Sequence, residues 1–256
     1  MKVKAADQIL KVLNSLVDFF LILALLIAGT FSAYALWDNH RIYAAAENIQ
    51  SQMLKLKPEV GLSGSASFEQ LLKTNPDVCA WITLDNTKID YPVLQGSDNL
   101  SYINTDVYGD FSLAGSIFLD SHSGRAFQDD YSLLYGHHME GSRMFGDLDL
   151  YRGADFFYDN HSGLLILPDR TCSLEIFACL LVPASEKMIF EPEQRNIEEL
   201  LDFVRGNSIF MRSEVIDRIL ADGTRPRILG LSTCSSEFTD ARTVVLAVME
   251  QRTSEI

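Results

Sequence analysis

The chain has 256 residues, of which 47% are hydrophobic and 22% are charged. This is the composition of an ordinary globular protein, and the length allows one good-sized domain with an appendage. Lys and Arg number 21 against 35 Asp and Glu, which gives a formal net charge of −14. Because an acidic surface repels phosphate groups, we expect no nucleic-acid partner.

A basic N-terminus followed by a long apolar run opens the chain. The first eleven residues include three lysines and one aspartate, and residues 19–36 carry no formal charge. A helix of about 20 apolar residues is long enough to cross a bilayer. We therefore predict a transmembrane signal-anchor over residues 16–37. Residues 1–15 are predicted to be cytoplasmic, because lysines stay on that side of a cell membrane, and the remainder of the chain is predicted to be extracellular.

A cleaved signal peptide is the alternative to this anchor. The tripeptide Ala33-Tyr34-Ala35 fits the small-residue pattern at which signal peptides are cut. The apolar run is longer than the usual apolar core of a signal peptide, and this favours the anchor. Loss of roughly the first 35 residues from the membrane-associated protein would identify cleavage.

The segment that follows the apolar run is predicted to be a helix leading away from the membrane. Residues 39–57 are rich in helix formers and have apolar residues at near-helical spacing. Gly61 and Gly64 then mark a hinge of small residues. We therefore assign residues 38–67 to an extracellular helical stalk and residues 68–256 to one folded domain.

Beyond residue 78 the sequence changes to short apolar runs separated by turns. Helical patterns over residues 196–204 and 213–219 precede the last two of these runs. The pattern predicts a mostly β fold, a closed and mostly antiparallel barrel of about eight strands with peripheral helices. The predicted strands cover residues 80–84, 89–94, 115–119, 131–135, 164–167, 173–181, 227–232 and 243–249.

The four cysteines of an exported chain could form disulfides. Cys79 lies in an apolar stretch, and Cys172 and Cys179 lie on opposite faces of one predicted strand, so these two cannot pair with each other. We predict that all three are buried free thiols. Cys234 differs, because it ends a predicted strand and polar residues follow it. No Cys and His spacing is typical of a zinc site, and we expect no metal and no other cofactor.

Three residues at the ends of apolar runs have the chemistry of a catalytic site. Cys234 follows one predicted strand, Arg242 precedes the next, and His137 lies just beyond an earlier one. A thiol near a fixed cation is favoured as the nucleophilic thiolate. A histidine can protonate a leaving amine. An arginine stays charged, so it can stabilise an oxyanion but cannot act as a base. The trio indicates thiol-dependent acyl transfer.

These residues lie in motifs that resemble those of the class B sortases, which are cysteine transpeptidases of Gram-positive cell surfaces. The resemblance covers about residues 68–250, with the motifs in the family's order. The similar segments are Gly115-Ser116-Ile117-Phe118-Leu119-Asp120, Tyr135-Gly136-His137-His138-Met139, Met144-Phe145-Gly146-Asp147-Leu148, Leu231-Ser232-Thr233-Cys234 and Phe238-Thr239-Asp240-Ala241-Arg242-Thr243-Val244-Val245.

The position of each residue in these motifs implies its role. Cys234 is implied to be the nucleophile, His137 the general acid and base, and Arg242 the group that stabilises the oxyanion or the substrate. His137 is preferred to His138, because it directly follows the Tyr-Gly pair of the motif. Some class B members carry an Asp two residues after the cysteine. This chain has Ser236 there, so no carboxylate is assigned to the site.

Three further residues are predicted to contact the substrate. Thr233 and Ser116 are expected to line the substrate groove, because they lie in the resembling motifs. The backbone N–H of Ser235 is expected to complete an oxyanion hole, since it follows the nucleophile directly. A metal site formed by His122, His137 and His138 is disfavoured, because adjacent histidines rarely bind one ion.

The resemblance implies a membrane-anchored transpeptidase. Such an enzyme cleaves the C-terminal sorting signal of a secreted protein after a threonine, in a motif of the Asn-Pro-x-Thr type, and forms a thioacyl-enzyme. It then transfers the protein to an amine of a cell-wall precursor or of another surface protein. The expected partners are therefore sorting-signal-bearing proteins, an amine acceptor and the lipid bilayer. The alternatives are a pilin-polymerising class B sortase, a cysteine endopeptidase, and a non-catalytic tethered binding module.

Overall fold

The computed structural model describes residues 2–59, 66–194, 196–221, 223–235 and 239–252. Gly61 and Gly64 of the predicted hinge, and Ser236, lie outside these ranges. The chain divides into two compact units, Met1–Ala45 and Ala46–Ile256.

Helix α1 spans Lys2–Leu54, and its part up to Ala45 forms the first unit. The large apolar side chains of the predicted anchor are mostly exposed; Phe31, for example, is 71% exposed. Within the described part of the chain, α1 alone is long and apolar enough to cross a membrane. A signal sequence near the N-terminus passes the same test of length and composition. Tyr34 and Trp37 lie near the end of the apolar run, as aromatic residues do at membrane interfaces.

The described residues of the second unit form eleven strands, eight of which close into a barrel. In chain order the strands are β1 (Val78–Leu84), β2 (Asp90–Leu94), β3 (Ile117–Leu119), β4 (Tyr131–Tyr135), β5 (His138–Met139), β6 (Arg143–Met144), β7 (Ser162–Ile166), β8 (Thr171–Pro183), β9 (Ser208–Met211), β10 (Ile228–Cys234) and β11 (Ala241–Gln251). The order around the barrel is β11-β10-β4-β3-β2-β1-β7-β8, and β11 also pairs with β8, which completes the ring. The predicted closed barrel of about eight strands is therefore confirmed.

Most neighbouring strands of the barrel are antiparallel. The exceptions within the described residues are β2 with β3 and β4 with β10, which run parallel. The parallel pair β4 and β10 matters for function, because the carboxyl ends of parallel strands lie at the same edge of a sheet. The two candidate residues that follow or end these strands, His137 and Cys234, are thereby brought to one end of the barrel.

Short helices cover the outside of the barrel. They are α2 (Ala66–Thr74), α3 (Ala154–Asp159), α4 (Lys187–Phe190), α5 (Ile197–Asn207) and α6 (Ser213–Ala221), with 3-10 helices at Gly146–Arg152 and Pro192–Gln194. Helix α5 begins at Asn196, whose side chain accepts a hydrogen bond from the N–H of Glu198, as is typical of a helix N-cap. Both helices predicted before the last two barrel strands are thus present, as α5 and α6.

Helices α5 and α6 bury their apolar faces against the barrel. Leu200 and Val204 of α5 and Ile216 of α6 are fully buried in one cluster with side chains of β4, β8, β10 and β11, such as Leu180 and Val244. Fully burying a side chain of this type stabilises a fold by about 1.5–3 kcal/mol. The same sheet surface continues to the end of the barrel at which Cys234 lies.

The three cysteines predicted to be buried free thiols are confirmed as such. Cys79, Cys172 and Cys179 are buried and unpaired, and Cys234 is free and exposed. Burial raises the pKa of Cys79 and of Cys179 from 9.0 to about 12. It also raises the pKa of Tyr91 from 10.0 to about 12, against a smaller lowering effect of its hydrogen bond with the Met144 backbone.

These raised pKa values predict a loss of stability at alkaline pH. In the unfolded chain the groups ionise near their ordinary pKa, so the folded state binds more protons at pH values from about 9 to 12. Their stabilising contribution is therefore complete below about pH 9 and is lost as the pH rises toward 12. Thermal melting at several pH values should show a progressive fall in Tm over this range. Cys179→Ala should flatten the fall, and a Tm of the unmodified protein that stays constant to about pH 11 would contradict the prediction.

Candidate active site

Strand pairing places Cys234 and Arg242 side by side. Cys234 is the last residue of β10, Arg242 is the second of β11, and the two are direct partners in the antiparallel register. Opposed residues of an antiparallel pair have their side chains on the same face, with Cβ atoms about 4.5–5.5 Å apart. The thiol is exposed and the guanidinium is half-buried. The Nη1 atom of Arg242 donates to the carbonyl of Ala241 at 3.1 Å, and the guanidinium makes no other hydrogen bond within the described residues.

The parallel strand on the other side of β10 brings His137 to the same place. Tyr135 pairs with Ser232, and the N–H of Gly136 donates to the carbonyl of Ser232 at 3.1 Å. The observed pairing ends here, and its continuation by two residues along each chain predicts that His137 lies level with Cys234. The three candidate residues therefore lie on adjacent chain segments in the order His137, Cys234 and Arg242.

The imidazole of His137 is held by a backbone carbonyl. Its Nε2 atom lies 2.7 Å from the oxygen of Ile103, in the loop between β2 and β3. A carbonyl oxygen can only accept, so Nε2 carries the proton of this hydrogen bond. The other ring nitrogen, Nδ1, is therefore the one that can exchange a proton with the thiol or with a substrate amine.

A glycine lets the Ile103 carbonyl approach. Gly115 has a φ of +58°, and a Cβ atom at this position would lie 2.3 Å from the oxygen of Ile103. Ser116, the next residue, also holds this loop in place, because its N–H donates to the carbonyl of Tyr102 at 3.0 Å. Sequence reasoning did not find Ile103, since a backbone acceptor has no residue-type signal.

Several known proteins are similar to this chain in sequence and fold. No family model matches the chain. A class B sortase of Streptococcus pyogenes involved in pilus biogenesis is 37% identical, with a TM-score of 0.64, over 72% of this chain and 98% of that one. Sortase B of Clostridium perfringens is 31% identical, with a TM-score of 0.64, over 72% of this chain and 99% of that one. Sortase B of Listeria monocytogenes is 28% identical over 221 residues, which are 83% of this chain and 85% of that one.

The chain belongs to the class B sortases. It is accordingly a transpeptidase of the sortase type, and the resemblance stated from the motifs is confirmed at the level of the family.

The second histidine of this sortase has a carboxylate partner. The Nε2 atom of His138 lies 2.9 Å from a carboxylate oxygen of Asp149. His122 is also occupied, since its Nδ1 atom lies 3.2 Å from Asp120. Each of the three histidines once considered as a metal site thus has a separate partner. His137 is the one that lies level with Cys234.

Three residues predicted to contact substrate are already engaged or buried. Ser116 is buried, and its hydroxyl donates to the carbonyl of Thr105 at 2.8 Å. Thr233 is buried, and alternation along β10 puts its side chain on the opposite face from Cys234. The N–H of Ser235 donates to the carbonyl of Ala241 at 2.9 Å, so an oxyanion would have to compete for it. Substrate contact at these positions stays a prediction.

An aromatic surface next to His137 was not predicted. Tyr135 is half-buried, with its ring centroid 6.4 Å from that of Phe190 and 5.3 Å from that of Phe118. Its hydroxyl donates to the carboxylate of Asp120 at 2.9 Å. Asp120 is only 1% exposed and also accepts from the side chain of Asn99 at 2.8 Å. Burial, followed by the nearby Asp120 charge, raises the pKa of Tyr135, so its hydroxyl remains a donor.

The burial of the other cysteines makes the thiol of this sortase selectively reactive. Thiolate is the form that alkylating reagents attack. With a pKa of about 12, Cys79 and Cys179 hold only about one thiolate per ten thousand molecules at pH 8. Iodoacetamide should therefore add one group to the folded protein, at Cys234, and four after denaturation. Intact-mass analysis measures this, and Cys234→Ala should remain unmodified while folded. Two or more adducts on the folded protein would contradict the prediction.

Proposed function

We propose that this sortase transfers secreted proteins from a C-terminal sorting signal to an amine, with Cys234 as the nucleophile, His137 as the general acid and base, and Arg242 as the oxyanion-stabilising group. One observation carries the assignment. The exposed thiol of Cys234 has Arg242 as its direct partner on one side and, by strand register, His137 on the other. A nucleophile, a proton carrier and a fixed cation are the components that thiol acyl transfer needs.

The reaction proceeds in two half-reactions. The Cys234 thiolate attacks the carbonyl carbon of the signal's threonine, and the electron pair moves to oxygen, where the guanidinium of Arg242 stabilises it. When the carbonyl re-forms, the C–N bond breaks and protonated His137 gives its proton to the departing amine, leaving a thioacyl-enzyme. In the second half-reaction an acceptor amine attacks the thioester. His137 takes the proton of this amine, and the Cys234 thiolate leaves.

Three further residues are proposed to contact or support the substrate. The Ser235 N–H completes an oxyanion hole if the substrate displaces its bond to Ala241. Thr233 and Ser116 support the substrate groove from beneath its surface, because both side chains are buried. The half-buried ring of Tyr135 provides an apolar surface beside His137.

The proposed location of the sortase follows from its first helix. We infer that residues 16–37 anchor the protein in the cell membrane, that residues 1–15 are cytoplasmic, and that residues 38–67 are a stalk for an extracellular catalytic domain at residues 68–256. The support is an exposed apolar helix long enough to cross a bilayer. N-terminal sequencing of the membrane fraction tests this, and loss of roughly the first 35 residues would show a signal peptide instead.

Product analysis tests the function directly. The full-length protein in detergent is incubated with sorting-signal peptides of the Asn-Pro-x-Thr type, with and without an amine. Transpeptidation predicts a peptide–amine conjugate that forms only when the amine is present and that Cys234→Ala does not produce. Hydrolysis at the same rate in both reactions would identify an endopeptidase. Absence of any reaction, with Cys234 inert to alkylation, would identify a binding module.

A pilin subunit is the second candidate for the acceptor. The 37% identical Streptococcus pyogenes protein is a class B sortase involved in pilus biogenesis. If this sortase shares that role, its acceptor is the side-chain amine of a pilin lysine rather than the amine of a cell-wall precursor. Competition between a lysine-containing peptide and a peptide with a free N-terminal amine distinguishes the two acceptors.

A further inference from the structure

The carboxylate of Asp149 contacts two chain segments that carry proposed catalytic residues. Asp149 lies in the 3-10 helix Gly146–Arg152, which packs against strands β8, β10 and β11. One of its oxygens accepts a hydrogen bond from the hydroxyl of Thr243 at 2.8 Å, and the other lies 2.9 Å from Nε2 of His138. Arg152 approaches the same carboxylate at 3.6 Å. Thr243 is completely buried, whereas the Asp149 side chain is half-buried.

Both partners of Asp149 are the chain neighbours of proposed catalytic residues. Thr243 directly follows Arg242 in β11, and His138 directly follows His137. Successive residues of a strand point to opposite faces, so Thr243 points away from the face that carries Cys234 and Arg242. Asp149 therefore bonds to the face of β11 opposite the one that carries Arg242.

The helix that carries Asp149 is itself firmly held. The carboxylate of Asp147 accepts a hydrogen bond from the N–H of Lys88 at 2.7 Å, and Leu148 and Tyr151 are completely buried. A Cβ atom on Gly146 would lie 2.2 Å from the carbonyl of Met139, so the helix also packs tightly on the β5–β6 hairpin. The helix therefore holds Asp149 in place, and each of its contacts is with a residue adjacent in sequence to Arg242 or His137.

We propose that Asp149 is a positioning residue, which fixes Arg242 through Thr243 and His137 through His138 at the distances that acyl transfer needs. The inference rests on the proposed roles of Arg242 and His137. Loss of one link would let the backbone of Arg242 shift without unfolding the barrel. Misplacement of a catalytic group by about 1 Å can lower a rate by roughly a hundredfold.

Thr243→Val tests the link with the smallest change of shape. The variant keeps a β-branched side chain and removes the hydroxyl that donates to Asp149. In the full-length protein, kcat for peptide transfer should fall about ten- to a hundredfold, with KM within about twofold. Cys234 alkylation should be unchanged. Thr243→Ser, which retains the hydroxyl, should recover most of the kcat. Asp149→Leu removes the contacts with both Thr243 and His138, so its kcat should fall at least as far as that of Thr243→Val. The kcat of the double variant should be little lower than that of Asp149→Leu.

Thr83→Val is the matched control. The hydroxyl of Thr83 donates to the carboxylate of Asp90 at 3.0 Å, on strands β1 and β2, which hold none of the proposed catalytic residues. This variant breaks the same kind of bond and should leave kcat unchanged, even where its loss of Tm equals that of Thr243→Val.

The outcomes separate this inference from the proposed function. Unchanged kcat in Thr243→Val and Asp149→Leu overturns the positioning role alone, provided that Arg242→Ala is inactive. Equal losses of kcat in Thr83→Val and Thr243→Val also overturn it, since both then reflect lost stability. Full turnover by Arg242→Ala or Cys234→Ala overturns the proposed function and the positioning role together.

Discussion

Replacing Arg242 with alanine is expected to lower kcat for peptide transfer by about a hundred- to a thousandfold, because the oxyanion loses its charged donor. KM should change less, since the interaction strengthens only as charge develops on the carbonyl oxygen. Steady-state kinetics of transfer to an amine measures both constants. Arg242→Lys keeps the charge but not the planar fork of donors, and we expect it to recover only part of the lost rate.

Two measurements make this expectation specific. Cys234 of Arg242→Ala should still react with iodoacetamide, which would show that the nucleophile is present and that the barrel is folded. Arg252→Ala provides the matched control, because Arg252 is an exposed arginine just beyond the other end of β11. A rate for Arg242→Ala within about threefold of the Arg252→Ala rate would rule out the proposed role.

Gly115→Ala is expected to lower turnover by displacing a backbone carbonyl that orients His137. The new methyl group would lie 2.3 Å from the oxygen of Ile103, which is closer than any real contact, so the backbone carbonyl must move. That carbonyl holds Nε2 of His137 at 2.7 Å, and its displacement leaves the imidazole without its fixed orientation. We expect turnover to fall by roughly a hundredfold, as for a misplaced catalytic group. The positive φ of +58° should also lower stability by about 1 kcal/mol.

Gly109→Ala separates these two effects. Gly109 lies in the same loop with a φ of +86°, but nothing lies within 4 Å of a Cβ atom added there. This variant should lose a similar stability, about 1 kcal/mol, and keep its turnover. Comparison of kcat and Tm for the two variants therefore shows whether the Ile103 carbonyl orients His137. Equal kcat values for both would contradict that function of the loop.

The barrel strands were predictable because each is an apolar run bounded by turn residues. Strand β10, for example, was predicted over 227–232 and is observed at Ile228–Cys234. Strands β5 and β6 have two residues each, too few for any alternation to be visible. Strand β9 was missed because it follows α5 without a turn, so the helical pattern runs into it. Which neighbours a strand pairs with, such as β4 with β10, depends on contacts that are distant in the sequence.

The candidate catalytic residues were predictable, and most of their supports were not. Cys234 and Arg242 have distinctive chemistry and lie at the ends of consecutive apolar runs. By contrast, the carbonyl of Ile103 belongs to a backbone that every residue has. Asp149 is one of many acidic residues in an acidic chain, and only the folded structure shows that Thr243 and His138 share it. The reactive groups can thus be identified from residue type and position, whereas their orientation depends on tertiary packing.

The burial of three cysteines has a consequence for oxidation of the protein. An exposed thiolate is readily converted to a sulfenic acid, which is normally rescued by condensing with a nearby thiol. Cys79, Cys172 and Cys179 are all buried in the folded barrel, so none can reach an oxidised Cys234. Among the four cysteines Cys234 alone is exposed to oxidants, and reduction of its oxidised form depends on a thiol supplied by another molecule.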